Sequence, residues 1–180
     1  RLEGLLQSDD IEVMRRAVAA LGAEVSAEAG DVWAVTGTGG RLRAPTATLD
    51  VRASGTAARF LTALATLAPG PSTVDGIPRL RERPIEDLTA ALTRLGAPVE
   101  AKGPGGCAPV HVQGGGLGGG ETDVDARRSS QTVSAILLVA PLARRDVRLR
   151  LLEGVLVSRP YVDVTLQVMD AFLQGPKRTL

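Results

Sequence analysis

Hydrophobic residues recur along the chain in two similar stretches that lie 74 positions apart. Their apolar side chains have the three- and four-residue spacing of an amphipathic helix, in the sets Met14, Val18, Leu21 and Leu88, Leu92, Leu95. Gly22 and Gly96 follow the last apolar residue, as is typical of a helix C-terminus. A looser third copy begins at Arg159-Pro160. The pattern therefore predicts a repeated structural unit.

A second, more apolar class of helix alternates with the first. It is predicted over 57–68, after Ser54-Gly55-Thr56, and over 132–142, after Ser129-Ser130-Gln131. Short alternating stretches predict the strands, at 48–52, 72–75, 99–101, 110–113, 122–125 and 147–152. The complete middle unit is βαβαββ. We expect the first unit to lack its opening strand and helix, and the third to lack its closing strands.

These elements predict an α+β fold with no interior domain boundary: one domain over residues 1–172 and an unassigned tail over 173–180. Hydrophobic residues make up 44% of the 180-residue chain but aromatic residues only 2%, so Leu, Val, Ile and Ala must form the core. The 21 basic and 20 acidic residues favour neither nucleic acid nor a membrane surface as a partner. The longest apolar stretch, 133–142, is too short to span a bilayer.

Few side chains suit metal or redox chemistry. The single cysteine and single histidine make a disulfide or a zinc site improbable. Cys107 is predicted to be an inert loop thiol, because nothing near it in sequence would lower its pKa. His111 is predicted to lie on a sheet surface. No pair of side chains forms a convincing acid–base couple, and no metal or cofactor is expected.

The helix starts carry the candidate chemistry. Pro84 and Pro160 fit the first helical position, and an arginine precedes each of them. Helix N-termini offer free N–H groups and partial positive charge to phosphates and carboxylates, and a guanidinium adds paired donors. Serines at these starts also have a purely structural interpretation as N-caps. Several such starts in register with the repeat predict one shared site for anionic ligands.

These motifs, in this order, resemble the 5-enolpyruvylshikimate-3-phosphate synthase family. The resembling segments are Ser8-Asp9-Asp10, Ser54-Gly55-Thr56, Glu82-Arg83-Pro84-Ile85, Ser129-Ser130-Gln131 and Ser158-Arg159-Pro160-Tyr161. The resemblance implies an α/β prism, or inverse α/β barrel, of βαβαββ repeats. It also implies transfer of the enolpyruvyl group of phosphoenolpyruvate to the 5-hydroxyl of shikimate 3-phosphate, with release of phosphate and without a cofactor.

The resemblance also implies residue roles. Gly55, Arg83 and Gln131 would contact phosphoenolpyruvate, and the glycine loop would bind the competitive inhibitor glyphosate. Shikimate 3-phosphate would be held by a second set: Ser129, Ser130, Gln131, Ser158 and Tyr161. No catalytic acid or base is expected in this chain, because in the family it comes from a second domain. The chain is thus expected to supply half of a site, to be inactive alone, and to derive from a cytoplasmic enzyme.

Two departures leave alternatives open. Ala53 replaces the family's asparagine in the glycine loop, and the family's Lys-Ser…Arg segment is not found. A non-catalytic anion-binding or scaffold domain of the same fold is one alternative. The other is a relative of UDP-N-acetylglucosamine enolpyruvyl transferase, whose reactive cysteine precedes the Arg-Pro helix, whereas Cys107 follows it.

Overall fold

The computed structural model describes residues 1–28 and 31–172, and the predicted tail over 173–180 lies outside them. The first unit contains helix α1 (Asp9–Ala20) and strands β1 (Glu24–Ala27) and β2 (Trp33–Thr36), which form an antiparallel pair. Leu2 bridges to Trp33 ahead of the helix. In the described part of the chain, no helix is long and apolar enough to cross a membrane.

The middle unit has the predicted βαβαββ order. Its elements are β3 (Leu49–Asp50), α2 (Gly55–Ala65), β4 (Ser72–Asp75), α3 (Glu86–Arg94), β5 (Val99–Gly103) and β6 (Cys107–Val112). The four strands form one sheet in the order β3-β4-β6-β5. Strands β3 and β4 are parallel, and β6 runs antiparallel to both β4 and β5. Helix α2 connects the parallel pair.

The third unit repeats the parallel pair and its connecting helix. Strands β7 (Gly120–Ala126) and β8 (Val147–Leu156) are parallel, and α4 (Gln131–Val139) connects them before α5 (Arg159–Phe172) follows. Ser134 Oγ and Thr165 Oγ1 lie 2.8 Å apart in a buried hydrogen bond between α4 and α5. Three short 3₁₀ turns complete the regular structure of the described residues: Leu80–Glu82, Pro104–Gly106 and Ala140–Leu142.

Helices α2 and α4 form the interior, and the sheets lie on the outside. Helix α2 is buried on nearly every side through small residues and Leu61, and it packs closely on α4. Small side chains let two helices approach without voids. On the opposite side of the sheets, outward residues such as His111, Arg148 and Arg150 are polar and exposed. The alternation of buried and exposed residues along the strands follows from this arrangement.

Several local predictions were wrong, among them the placing of Pro160 first in its helix, since α5 begins one residue earlier, at Arg159. Helix α2 covers Gly55–Ala65 rather than 57–68, and α4 ends at Val139 rather than 142, because the chain turns into a 3₁₀ turn that contains Pro141. Pro84 is not the first residue of α3, which begins at Glu86; the residue before proline avoids helical geometry, and Arg83 is extended (φ −106°, ψ 112°). Cys107 is not a loop thiol but the buried first residue of β6.

Candidate functional site

The N-terminal ends of three helices line one polar pocket of about 360 Å³. Helix α1 contributes Asp9 and Asp10, helix α4 contributes Gln131, and the segment before α3 contributes Arg83. The loop between β3 and α2 supplies most of the remainder: Val51, Arg52, Ala53, Ser54, Gly55 and Thr56. All three residues predicted to contact phosphoenolpyruvate, Gly55, Arg83 and Gln131, are therefore found in this one pocket.

The parallel strand pairs explain why these residues meet. The carboxyl ends of β3 and β4 lie at one sheet edge, so the segments that lead to Gly55 and to Arg83 leave the sheet side by side. The β7–β8 pair does the same for the segments that lead to Gln131 and to Ser158. Gln131 Nε2 donates a hydrogen bond of 2.8 Å to Thr56 Oγ1, which joins the starts of α4 and α2.

Gly55 is packed closely by two guanidinium groups. A Cβ at this position would lie 2.9 Å from Arg83 Nη1 and 3.3 Å from Arg59 Nη1. Glycine therefore lets both cations approach the first residue of α2, where the helix N–H groups are free. Burial and then the positive charge of Arg83 lower the pKa of Arg59, while the charge of Asp87 opposes this. Arg59 remains cationic despite this, because an arginine pKa is far above neutral.

Backbone strain occurs where the glycine loop begins. Arg52 has φ 50°, in the left-handed region that non-glycine residues rarely adopt, and its N–H donates 2.9 Å to Asp50 Oδ1. Its carbonyl accepts from Ile77 N–H at 3.0 Å. Gly76 permits this contact, because a Cβ there would overlap the Arg52 carbonyl. The glycine loop and the Arg83 segment are thus fixed to each other. Strained residues of this kind cluster at ligand sites.

The serines at the helix starts differ in what they bond. Ser8 and Ser54 are ordinary N-caps, whose Oγ atoms accept from Ile11 N–H and Ala57 N–H. Ser129 Oγ accepts from Gln131 N–H at 3.2 Å. Ser130 is buried at the N-cap position of α4, yet its side chain makes no capping bond. The structural interpretation therefore accounts for Ser8 and Ser54 but not for Ser130.

The residues predicted to hold shikimate 3-phosphate do not all line the pocket. Gln131 does, whereas Ser129, Ser130, Ser158 and Tyr161 lie outside its lining. Ser158 and Tyr161 are exposed at the start of α5, next to the carboxyl end of β8. Ser158 has φ 51°, the second strained non-glycine residue at a predicted helix start. Its neighbour Val157 donates to Ala126 O at 3.2 Å, close to the Ser129 segment.

Eight lining residues were not assigned to either substrate: Asp9, Asp10, Val13, Val51, Arg52, Ala53, Ser54 and Thr56. No ligand contact was predicted for Asp9 and Asp10, although they belong to the Ser8-Asp9-Asp10 segment. Because Asp9 is 74 positions before Arg83, the repeat itself contained the signal that this helix start faces the same pocket. The pocket therefore has carboxylates as well as guanidinium groups. Ala53, the departure from the family motif, is part of the lining.

The side chains excluded from the sequence-based site lie away from this pocket. His111 is exposed on the outer sheet face, as predicted, and pairs across the sheet with Thr73 and Glu100. Cys107 is a free, buried thiol. Within residues 1–28 and 31–172, no group of three or more His, Cys, Asp or Glu side chains is placed to hold a metal ion.

Known structures identify the fold. Two solved structures of EPSP synthase from Acinetobacter baumannii each match 98% of this chain with a TM-score of 0.83 and 26% sequence identity. The chain covers 39% of either solved chain. It is thus a domain with the enolpyruvyl-transferase fold, as the repeat and the motifs predicted.

The family follows from the sequence as well as the fold. The profile of the EPSP synthase (3-phosphoshikimate 1-carboxyvinyltransferase) family matches residues 1–174. The chain therefore belongs to the EPSP synthase family.

Proposed function

We propose that this chain is part of an enzyme that transfers the enolpyruvyl group of phosphoenolpyruvate to the 5-hydroxyl of shikimate 3-phosphate, with release of phosphate. The observation that carries the proposal is the pocket in which Gly55, Arg83 and Gln131 meet at the starts of α2 and α4. Both substrates are polyanions, and helix N-termini assisted by a guanidinium are suited to bind them.

Phosphoenolpyruvate is the proposed ligand of the Gly55–Arg83–Gln131 group. Arg83 forms no salt bridge within residues 1–28 and 31–172, so its paired donors are available to a phosphate or carboxylate. The absence of a side chain at Gly55 lets the Arg83 guanidinium lie against the start of α2 at the pocket wall. Gln131 adds a neutral amide already oriented by Thr56. Glyphosate is proposed to compete for this same loop.

Shikimate 3-phosphate is the proposed ligand of Ser129, Ser130, Gln131, Ser158 and Tyr161. The support is their placement after the carboxyl ends of the parallel strands β7 and β8. Ser130 is a buried residue whose hydroxyl does not serve its own helix as a cap, and Ser158 has a strained backbone. Both features are typical of residues held for a ligand rather than for local structure.

A second domain is proposed to complete the site and to supply the catalytic acid and base. The support is that no acid–base couple was evident in the sequence, and that the chain covers 39% of the solved EPSP synthase chains. Closure of two domains would exclude water and bring the remaining charged groups to the substrates. We therefore expect the isolated chain to bind substrate weakly and to lack turnover. The proposed compartment is the cytoplasm, which suits a chain with one unpaired cysteine.

A non-catalytic binding domain of the same fold is the second candidate. Ala53 favours it, because this residue lines the pocket and replaces a polar family residue. The Ala53→Asn substitution, made in the protein that includes the second domain, distinguishes an enzyme from a non-catalytic binding domain. If the site is that of an enzyme, the amide restores a polar contact, worth about 1 kcal/mol, and affinity for substrate rises roughly fivefold. A UDP-N-acetylglucosamine enolpyruvyl transferase is not favoured, since the matching family is EPSP synthase.

Calorimetric titration of the purified chain tests the proposal. We expect saturable binding of shikimate 3-phosphate, weakened about tenfold by Ser130→Ala. The matched control is Ser72→Ala, a second buried serine, located on strand β4 away from the pocket; it should leave the affinity unchanged. Equal effects of both variants, or no saturable binding, would contradict the assignment. Turnover by the chain alone would contradict the proposal that a second domain is needed to complete the active site.

A further inference from the structure

Arg59 connects the two parts of the pocket that carry Gly55 and Arg83. Its Nη1 donates 3.0 Å to the Gly55 carbonyl within α2, and its Nη2 donates 2.9 Å to the Pro84 carbonyl, 25 positions further along the chain. One planar guanidinium thus ties the first turn of α2 to the peptide that follows Arg83. Arg59 itself is half-buried and does not line the pocket.

The segment that Arg59 fixes has no helical structure of its own. Arg83 is extended, and its backbone N–H donates to Leu80 O at 3.0 Å. Ile85 N–H donates to Gly106 O at 2.8 Å on the other side of Pro84. These two bonds locate the segment relative to the 3₁₀ turns. The bond from Ile77 to Arg52 holds the segment to the loop before Gly55, and the Arg59 bonds add the direct contact between Pro84 and the first turn of α2.

Electrostatics argue that this arrangement is maintained for an anion. The Arg59 and Arg83 guanidinium groups both lie within contact distance of the Cβ position of Gly55. Two like charges so close repel each other, although Arg83 is exposed and only Arg59 is half-buried. Asp87 attracts Arg59 but lies on the side of α3, not in the pocket lining. A bound anion would relieve the repulsion that the fold otherwise maintains.

We propose that Arg59 is a positioning residue, which sets the distance between the Arg83 guanidinium and the start of α2 without contacting the ligand. The inference rests on the proposed function, because it assumes that Arg83 binds the anion. Lysine cannot replace Arg59, since a single ammonium lacks the planar fork that reaches two carbonyls at once.

Arg94 provides a matched control. It also bridges two segments through its guanidinium, with Nη2 donating 2.7 Å to Asp123 O and Nε donating 2.9 Å to Thr122 Oγ1, but it lies away from the pocket. Arg59→Lys and Arg94→Lys should both lower the denaturation midpoint modestly. Only Arg59→Lys should weaken the binding of phosphoenolpyruvate, by about tenfold, which is the expected range for loss of a charge-assisted hydrogen bond.

A double-mutant cycle tests whether Arg59 acts through Arg83. Phosphoenolpyruvate is titrated into the unsubstituted chain, Arg59→Lys, Arg83→Gln and the double variant. We expect Arg59→Lys to have no further effect once Arg83 is replaced. An equal effect of Arg59→Lys in both backgrounds, or an equal effect of Arg94→Lys on affinity, overturns the positioning role and leaves the proposed function standing.

If the proposed function itself is wrong, the same titrations give a different result. In that case Arg83→Gln itself leaves the titration unchanged, and the positioning role falls with it. A second readout concerns the free chain: the Arg83 side-chain NMR signal should shift in Arg59→Lys and stay fixed in Arg94→Lys. An unmoved Arg83 signal in Arg59→Lys contradicts the positioning role regardless of any ligand.

Discussion

The first and middle units have matching apolar patterns, yet they bury these residues very differently. Ile11 is 38% exposed whereas Ile85, 74 positions later, is 5% exposed. Val35 pairs with Val25 as Val112 pairs with Val99 in the middle unit, yet Val35 is 44% exposed and Val112 only 2%. In the middle unit, α2 packs against α3 and β6. Helix α2 also contacts α1, but a groove of about 450 Å³ stays open along the side of α1 that carries Ile11. The spacing of apolar residues determines which helix or strand forms, but the elements packed against it determine how deeply its residues are buried.

The units also differ in charge at one equivalent position. The helix start of the middle unit places Arg83 in the pocket, while that of the first unit places Asp9 there. Helix α1 carries a surface ion-pair network as well, in which Glu12 accepts from Arg15 at 2.8 Å and from Arg16 at 2.7 Å. Arg15 in turn lies 5.5 Å from the centre of the Trp33 ring. The first unit thus relies more on electrostatics and less on burial.

The largest expected difference concerns Leu88 and its counterpart Met14. Leu88→Ala should lower the free energy of unfolding by about 3 kcal/mol, because it leaves a cavity in a fully buried site. Met14 is only half-buried, so Met14→Ala should cost about 1 kcal/mol. Urea denaturation of both variants measures this. Equal losses would show that the groove along α1 is closed in solution.

The charge difference should act on ligand binding in opposite directions. Arg83→Gln should weaken phosphoenolpyruvate binding about thirtyfold, since a charged hydrogen bond contributes about 2 kcal/mol. Asp9→Asn should strengthen it about threefold, because an exposed carboxylate contributes less than about 1 kcal/mol. Titration calorimetry at low salt measures both. The expectation fails if Asp9→Asn also weakens binding.

A smaller difference is expected when one hydroxyl is introduced into each unit. Val112→Thr should cost about 1.5 kcal/mol, because it buries a polar group without a partner. Val35→Thr should remain within about 0.5 kcal/mol, since that side chain is exposed. The shift in denaturation midpoint compares them. A large loss from Val35→Thr would indicate that the β1–β2 pair is covered.

The smallest expected effect is on pH dependence. Hydrogen bonds from Arg15 and then Arg16 lower the pKa of Glu12 to about 2, despite some opposing desolvation. A carboxyl with a depressed folded-state pKa contributes stability above its ordinary pKa of 4.5 and loses it as the pH falls towards 2. Carbon-detected NMR titration should place the Glu12 midpoint near 2. A midpoint near 4.5 would mean that the pairs with Arg15 and Arg16 do not form in solution.

The fold could be predicted largely because the repeat constrains it. One complete unit fixed the order of elements in the incomplete ones, and helix starts in register predicted that Gly55, Arg83 and Gln131 would meet. The sequence could not reveal the burial difference between Ile11 and Ile85, because burial depends on tertiary neighbours rather than on periodicity. The sequence also did not reveal the hydrogen bond from Arg59 to Pro84 O. The two residues are 25 positions apart, and only the folded structure brings them together.

The identity of the binding group is tested most directly by NMR on the isotopically labelled chain during a phosphoenolpyruvate titration. The pocket account predicts saturable shifts of the Gly55 amide and the Arg83 guanidinium with one shared dissociation constant, while His111 on the outer sheet face stays unmoved. Arg83→Gln should abolish the Gly55 shift. The account is contradicted if the signals of Gly55 and Arg83 stay fixed while others move, or if Gly55 shifts equally in Arg83→Gln.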